Sequence, residues 1–237
     1  VGFANEVGAL CKALGLDSHE VMDIFCADRK LNISPDYLRP GFAFGGSCLP
    51  KDLRALVHAA RHGDVHLPIL ENVLVSNEAQ IARVFELVTS LGGRRIGIVG
   101  LSFKPGTDDL RESPNVALAE RLIGKGFEVK IYDPIVNPER LIGSNLQYIE
   151  SRLPHLRRLL ATSPREALQG CNAAVVATYE PGTGNACTTC ALMAMFPAGK
   201  GAEVSNLVSG MAPRRSASIR SRWSWSPAPP AGSAGRP

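Results

Sequence analysis

The sequence predicts an α/β chain in two parts, a helical part first and a parallel sheet second. Three observations carry that expectation. Apolar residues recur at helical spacing through residues 1–91, and at Gly92-Gly93 the pattern changes to short β-branched runs. The runs alternate with a capped helix, which is the signature of a βαβ unit and so of parallel strands. The chain has 237 residues with 45% hydrophobic and 20% charged, enough apolar material for a folded core of one large or two small domains.

Each element follows from local signals. Val7, Leu10, Cys11 and Leu14 fall on one helical stripe, and Gly15 is placed to stop that helix. Asp17 or Ser18 caps a second helix carrying Val21, Met22, Ile24 and Phe25. Residues 31–50 form a loop containing Pro and Gly, followed by a helix from Leu53 to about Arg61. A long helix from Pro68 to Ser90 has Ile69, Val73, Ile81, Val84, Phe85 and Val88 on its apolar face.

The second part opens with Arg95-Ile-Gly-Ile-Val-Gly100, a buried strand by its length and β-branched content. Ser113-Pro114 is an N-cap followed by a first-turn proline, so a helix runs to about Lys125 and stops at Gly126. Glu128–Tyr132 is the next strand, ended by Asp133-Pro134. Ser163-Pro164 starts another helix, Ala173–Thr178 is a strand, and Ala202–Val208 is a further strand candidate. From Met211 onward Arg, Ser, Pro and Trp dominate, too little apolar surface to offset the ordering entropy. The expected divisions are therefore 1–91, 92–210, and a disordered or aberrant tail at 211–237.

A formal charge of +4, much of it in the last residues, gives no nucleic-acid footprint in the folded part. No apolar run approaches the roughly 20 residues that span a bilayer, and the first residues do not resemble a secretory leader. Six cysteines stand at 11, 26, 48, 171, 187 and 190; only Cys187 and Cys190 have Cys-x-x-Cys spacing, and nothing completes a metal site. The opening Val1-Gly2-Phe3-Ala4 falls inside a helical pattern and reads as the interior of a longer protein.

The run Arg39-Pro-Gly-Phe-Ala-Phe-Gly-Gly-Ser-Cys-Leu-Pro-Lys-Asp52 concentrates the chemistry. Cys48 follows two glycines, which let a ligand approach the backbone closely. Lys51 is close enough in sequence to favour the thiolate, the nucleophilic species. Asp52 can orient a water or accept a proton. The competing reading is a buried cysteine in a glycine-rich turn.

This run resembles the active-site loop of the UDP-glucose/GDP-mannose dehydrogenase family. The resemblance runs from residue 1 to about residue 180 and implies the end of a central helical dimerisation domain followed by a Rossmann-like C-terminal domain. It also implies oxidation of the C6 alcohol of a nucleotide sugar to a carboxylate with NAD as cofactor, Cys48 forming a thiohemiacetal and then a thioester. No strand here is followed by Gly-x-Gly-x-x-Gly, so the family's N-terminal NAD-binding domain is expected upstream.

By residue, the resemblance makes Cys48 and Asp52 catalytic and brings Lys51 and Arg111 to NAD. It assigns Asn5, Tyr37, Arg39, Phe42, Gly45 and Lys104 to the sugar nucleotide, with Arg39 supplied across a homodimer interface. Asn5 has an alternative as a polar residue on a solvated helix face, and Asp36 departs from the aromatic expected there. Arg39-Pro-Gly-Phe-Ala-Phe and Tyr148-Ile-Glu-Ser-Arg-Leu-Pro-His155 look more like the branch acting on GDP-mannose, in alginate-type polysaccharide synthesis, than like the UDP-glucose or UDP-N-acetylmannosamine branches. A non-catalytic dimerisation and nucleotide-binding remnant is the alternative outside enzymes. A cytoplasmic protein with no membrane, metal or nucleic-acid partner is expected. The carboxylate of Asp133 stands where a ribose ligand can sit, but strand termination by Asp-Pro explains it better.

Overall fold

The structure, a computed structural model, describes residues 1–28, 38, 40–104 and 106–177, with a two-residue strand at 194–195. The expectations for Asp36, Tyr37, Arg39, the 202–208 strand and the 211–237 tail fall outside those residues. Four helices come first: α1 (Gly2–Ala13), α2 (Ser18–Cys26), α3 (Leu49–His62) and α4 (Pro68–Ser90). Then follow β1 (Arg95–Val99), α5 (Pro114–Gly124), β2 (Glu128–Tyr132), α6 (Gly143–Arg152), α7 (Leu156–Leu159), α8 (Pro164–Leu168), β3 (Ala173–Val176) and β4 (Ala194–Met195).

The caps explain the boundaries. The Asp17 carboxylate accepts from the His19 amide at 2.8 Å, so Asp17 is the N-cap of α2. Ser113 and Ser163 cap α5 and α8, each with a proline in the first turn where no amide is missed. One start was misjudged. The sequence places the helix after the cysteine from Leu53, but α3 begins at Leu49. Pro50 fits the first turn of a helix, and Cys48 becomes the N-cap residue.

The sheet order is β2-β1-β3-β4. The first three strands are parallel, with Ile96 opposite Val129 and Ala173. β4 pairs antiparallel with β3, an edge that the two-residue Ala-Met strand gives no periodicity to foresee. β1 is central and buried from Ile96 to Val99, which is why it reads as a continuous apolar run. The helices α6 and α7, which the sequence reading did not assign, carry Ile149 and Leu156 into the core.

The helical stripes need correction. Leu10, Leu14, Ile24 and Ile69 are exposed, Ile24 at 77% and Ile69 at 82%. α1 instead buries Ala4, Asn5 and Cys11. Periodicity finds an apolar stripe, not the surface that covers it. The core is otherwise continuous: Phe42 and Ala43 of the cysteine loop and Ile81, Val84 and Val88 of α4 pack in one cluster with Ile96, Ile98, Leu118 and Val175.

Asp133 ties the strand ends together. Its Oδ2 accepts from the Leu101 and Ser102 amides at 2.8 and 3.2 Å, and its Oδ1 from those of Ile135 and Val136 at 2.9 and 3.1 Å. The residue is buried, so these amides depend on the carboxylate. An Asp133→Ala change strands several buried N–H groups and should lower stability by about 3 kcal/mol in urea denaturation. A loss below about 1 kcal/mol would count against this role.

Candidate active site

The cysteine loop has no regular structure between Gly41 and Gly46, yet Phe42 to Gly46 are buried. Their peptide groups therefore need partners. Side-chain amides from two helices bond the groups of Phe42 and Phe44 and those of the flanking Gly41. Asn5 of α1 donates from Nδ2 to the Phe42 carbonyl at 3.1 Å and accepts from the Gly41 amide at 2.8 Å. Asn77 of α4 accepts from the Phe44 amide at 2.9 Å and donates to its carbonyl at 2.8 Å. Gln80 donates to the Gly41 carbonyl at 2.6 Å.

Asn5 is therefore buried and bonded at both its amide nitrogen and its oxygen within the chain, which rules out the solvated-face alternative. Asn77 and Gln80 were missed in the sequence. Their spacing of three puts both on one face of α4, a signal that becomes legible only once the loop is known to be buried.

The two glycines are packed by the chain itself rather than left open for a ligand. A side chain at Gly45 would collide with the Glu112 carbonyl and with Pro114 Cδ, the latter at 2.6 Å. One at Gly46 would meet the Phe103 ring at 2.7 Å, and Gly46 holds φ of +94°. The loop thus presses directly onto the segment between β1 and α5. That segment lies at the carboxyl end of the central strand, where open α/β sheets place their ligands.

The thiol of Cys48 emerges from this seam exposed, at the amino end of α3. Lys51, expected beside the thiol, has its ammonium 3.3 Å from the Asp52 carboxylate, and both side chains are mainly exposed. Around Arg111 the arrangement is tighter. Its Nε and Nη2 donate to the two oxygens of Asp109 at 2.8 and 2.7 Å, and Nη1 donates to Ser144 Oγ at 3.1 Å. Asp109 raises the Arg111 pKa above its ordinary value, and the nearby Cys48 charge adds to that rise. Lys104 lies over the Phe103 ring, 5.4 Å from its centroid.

Glu112 adopts φ of +54°, a left-handed conformation costing about 1 kcal/mol for a residue with a Cβ. Two contacts hold it. Its carboxylate pairs with Arg54 Nη2 of α3 at 2.7 Å, and its carbonyl faces Gly45. Burial pushes the Tyr148 hydroxyl up from its ordinary value, so it stays neutral. Asn145 of α6 accepts from the Leu110 amide at 3.0 Å and donates to the Asp108 carbonyl at 2.9 Å.

The structure thus brings Cys48, Lys51, Asp52, Phe42 and Gly45 onto one loop and helix start, and Lys104 and Arg111 onto the facing segment. Among the described residues no set of His, Cys, Asp and Glu is arranged to hold a metal.

Two expectations follow. Replacing Asn77 with Ala removes both bonds to Phe44 and should speed hydrogen exchange at the Phe44 amide by about tenfold to a hundredfold; unchanged exchange would remove Asn77 from the loop's support. The Asp109 carboxyl is held below its ordinary 3.8, first by the hydrogen bond from Arg111. The stability it contributes is complete above the unfolded value and is lost as pH falls through the lower folded one. In a carboxyl-carbon NMR titration the Asp109 midpoint should rise in Arg111→Met, and a midpoint equal in both proteins would refute the pairing.

Residues 1–79 match the model of the UDP-glucose/GDP-mannose dehydrogenase family, central domain, and residues 97–189 that of the UDP binding domain of the same family. GDP-mannose 6-dehydrogenase of Pseudomonas aeruginosa is 52% identical over 176 residues, 74% of this chain and 40% of that protein. UDP-glucose 6-dehydrogenase of the same organism is 36% identical over 183 residues, 75% of this chain and 39% of that protein. The crystal structure of a ternary complex of GDP-mannose dehydrogenase from Pseudomonas aeruginosa superposes with a TM-score of 0.55 at 53% identity, covering 72% of this chain and 39% of that one. A UDP-glucose dehydrogenase from Pyrobaculum islandicum gives 0.62 at 31% identity, over 73% of this chain and 38% of that one. The chain spans about 40% of the length of the curated relatives it matches. With both family domains matched in order and the helical and parallel-sheet architecture in agreement, the chain belongs to the UDP-glucose/GDP-mannose dehydrogenase family.

Proposed function

We propose that the protein to which this chain belongs oxidises the C6 alcohol of a nucleotide sugar to a carboxylate, with GDP-mannose as substrate and Cys48 as nucleophile. The observation that carries this reading is the exposed Cys48 thiol at a helix start, on a loop fixed by Asn5, Asn77 and Gln80. The identity to GDP-mannose 6-dehydrogenases supports the choice of sugar nucleotide.

In this reading the thiolate of Cys48 adds to the C6 aldehyde carbon, forming the C–S bond of a thiohemiacetal. Loss of hydride from C6 leaves a thioester, and water cleaves the C–S bond to give the carboxylate and the free thiol. Asp52, mainly exposed and one helical turn after Cys48, orients that water. NAD, when bound, accepts the two hydrides. The cationic groups at the rim suit its anionic pyrophosphate: Lys51 is 70% exposed, and Arg111, 37% exposed, is already oriented by Asp109 and Ser144.

Lys104, Tyr37 and Arg39 are proposed to grip the sugar nucleotide, while Asn5, Phe42 and Gly45 build the wall behind it. The exposed apolar side chains of α1 and α2, among them Leu10, Leu14 and Ile24, support a homodimer through the helical part. Among the described residues no helix is long and apolar enough to cross a membrane, and a cytoplasmic location is proposed with the activity. UDP-glucose is the second substrate to test, because a UDP-glucose 6-dehydrogenase also matches across three quarters of the chain.

The test uses the protein extended to the length of its relatives. NAD⁺ reduction with GDP-mannose should yield the carboxylate, and Cys48→Ser should lower acid formation by at least a hundredfold. Acid formed at an undiminished rate by Cys48→Ser would overturn the mechanism. Faster turnover of UDP-glucose than of GDP-mannose would overturn the substrate.

A further inference from the structure

An arginine that grips a phosphoryl group works through the direction of its N–H donors, so whatever fixes that direction shares in the binding. Taking Arg111 as the contact for the NAD pyrophosphate, we propose that Asn145 of α6 is its positioning residue. By holding both peptide groups that flank Asp109, Asn145 fixes the carboxylate that aims the Arg111 guanidinium.

The bonds run from the helix to the guanidinium. Asn145 Nδ2 donates to the Asp108 carbonyl at 2.9 Å, and its Oδ1 accepts from the Leu110 amide at 3.0 Å. Those two groups belong to the two peptide planes that meet at the Asp109 Cα, so a single carboxamide restrains both backbone rotations of Asp109. The Leu110 side chain is fully buried and anchors the far side of the same short segment. Asp109, held this way, turns its carboxylate onto Arg111. Its Oδ1 accepts from the Arg111 amide at 3.0 Å and from Nε at 2.8 Å, and its Oδ2 accepts from Nη2 at 2.7 Å. Ser144, the neighbour of Asn145 on α6, takes Nη1 at 3.1 Å. Three of the five guanidinium N–H groups are thereby occupied. The other two, one on each Nη, have no partner among the described residues, on a side chain that is only partly buried.

Net charge offers an anion little here. The segment carries Lys104 and Arg111 against Asp108 and Asp109, and Glu112 is paired with Arg54 of α3 at 2.7 Å. Helix α6 meets Asp108 to Arg111 through Ser144 and Asn145, both neutral. Cations and carboxylates balance, so an anion gains from directed donors rather than from excess positive charge, and directed donors are what Asn145 secures.

The experiment measures two quantities. In the 237-residue chain, the carboxyl-carbon NMR midpoint of Asp109, held low first by its hydrogen bond with Arg111, should rise in Asn145→Ala, by less than in Arg111→Met. Asn145 is half-buried on a helix, where alanine is well tolerated, so this variant folds. In the protein extended to the length of its relatives, KM for NAD⁺ should rise about fivefold in Asn145→Ala and about tenfold in Arg111→Met. The kcat of Asn145→Ala should stay within about twofold of the parent. Leu146→Ala is the control. Leu146 packs against the core from the same helical turn, so its truncation loosens α6 without removing a bond to the segment. It should lower stability in urea and leave both the Asp109 midpoint and KM for NAD⁺ close to the parent.

An Asp109 midpoint in Asn145→Ala equal to the parent overturns the proposal. So does an unmoved KM for NAD⁺ in that variant where Arg111→Met raises it. Equal effects of Leu146→Ala and Asn145→Ala on KM reduce Asn145 to general support of the helix and overturn it too. An unmoved KM in Arg111→Met is a different failure: it removes Arg111 from the cofactor, and the proposal falls with that reading.

Discussion

Five buried residues without regular structure, Phe42 to Gly46, are the constraint around which the rest is arranged. Water does not reach their peptide groups, so every N–H and C=O left unbonded there is costly. Asn5 and Asn77 bond the Phe42 carbonyl and both peptide groups of Phe44, and Asn5 and Gln80 bond the flanking Gly41, because carboxamides donate and accept at once, as neither an aliphatic nor a charged side chain can. With Phe42 and Phe44 held this way, Phe42 and Ala43 enter the common core. The thiol inherits its place from that sequence of dependencies.

A second set of polar groups fixes the opposite side of the seam. Asp133, at the end of β2, gathers the amides that follow β1, and Asn145 gathers those near Leu110. Ser113 both caps α5 and donates to the Leu101 carbonyl at 2.7 Å. The segment carrying Lys104 and Arg111 is irregular by shape, but the surrounding elements hold it at several points. Two irregular segments, each bonded to its own scaffold, meet at Gly45 and Glu112.

Much of this architecture was legible in the residues. The β1–α5–β2 unit followed from β-branched runs and from Ser113-Pro114, because capping and burial act locally there. The long helix α4 was bounded correctly by Pro68 and Ser90. What escaped depends on partners distant in sequence. Leu10 and Leu14 lie on a helical stripe but are exposed among the described residues, whereas Asn5, polar and unremarkable in sequence, is buried. The start of α3 was set four residues late because glycines around Cys48 suggested a loop continuing past it, and Leu-Pro-Lys-Asp instead makes a good first helical turn. Cys48 itself was conspicuous from its neighbours. The role of those neighbours was not: the glycines accommodate the chain's own backbone, and Lys51 faces Asp52.

α4 is one unbroken helix of 23 residues, about 35 Å long. Its middle presents Asn77 and Gln80 to the cysteine loop, and its last turns plant Val84 and Val88 among the residues flanking the sheet. The border drawn between the two parts from sequence therefore falls at the end of a stiff rod shared by both. Bending between them has no pivot along that rod, so strain reaching the sheet side is transmitted to the thiol's loop as a lever transmits load.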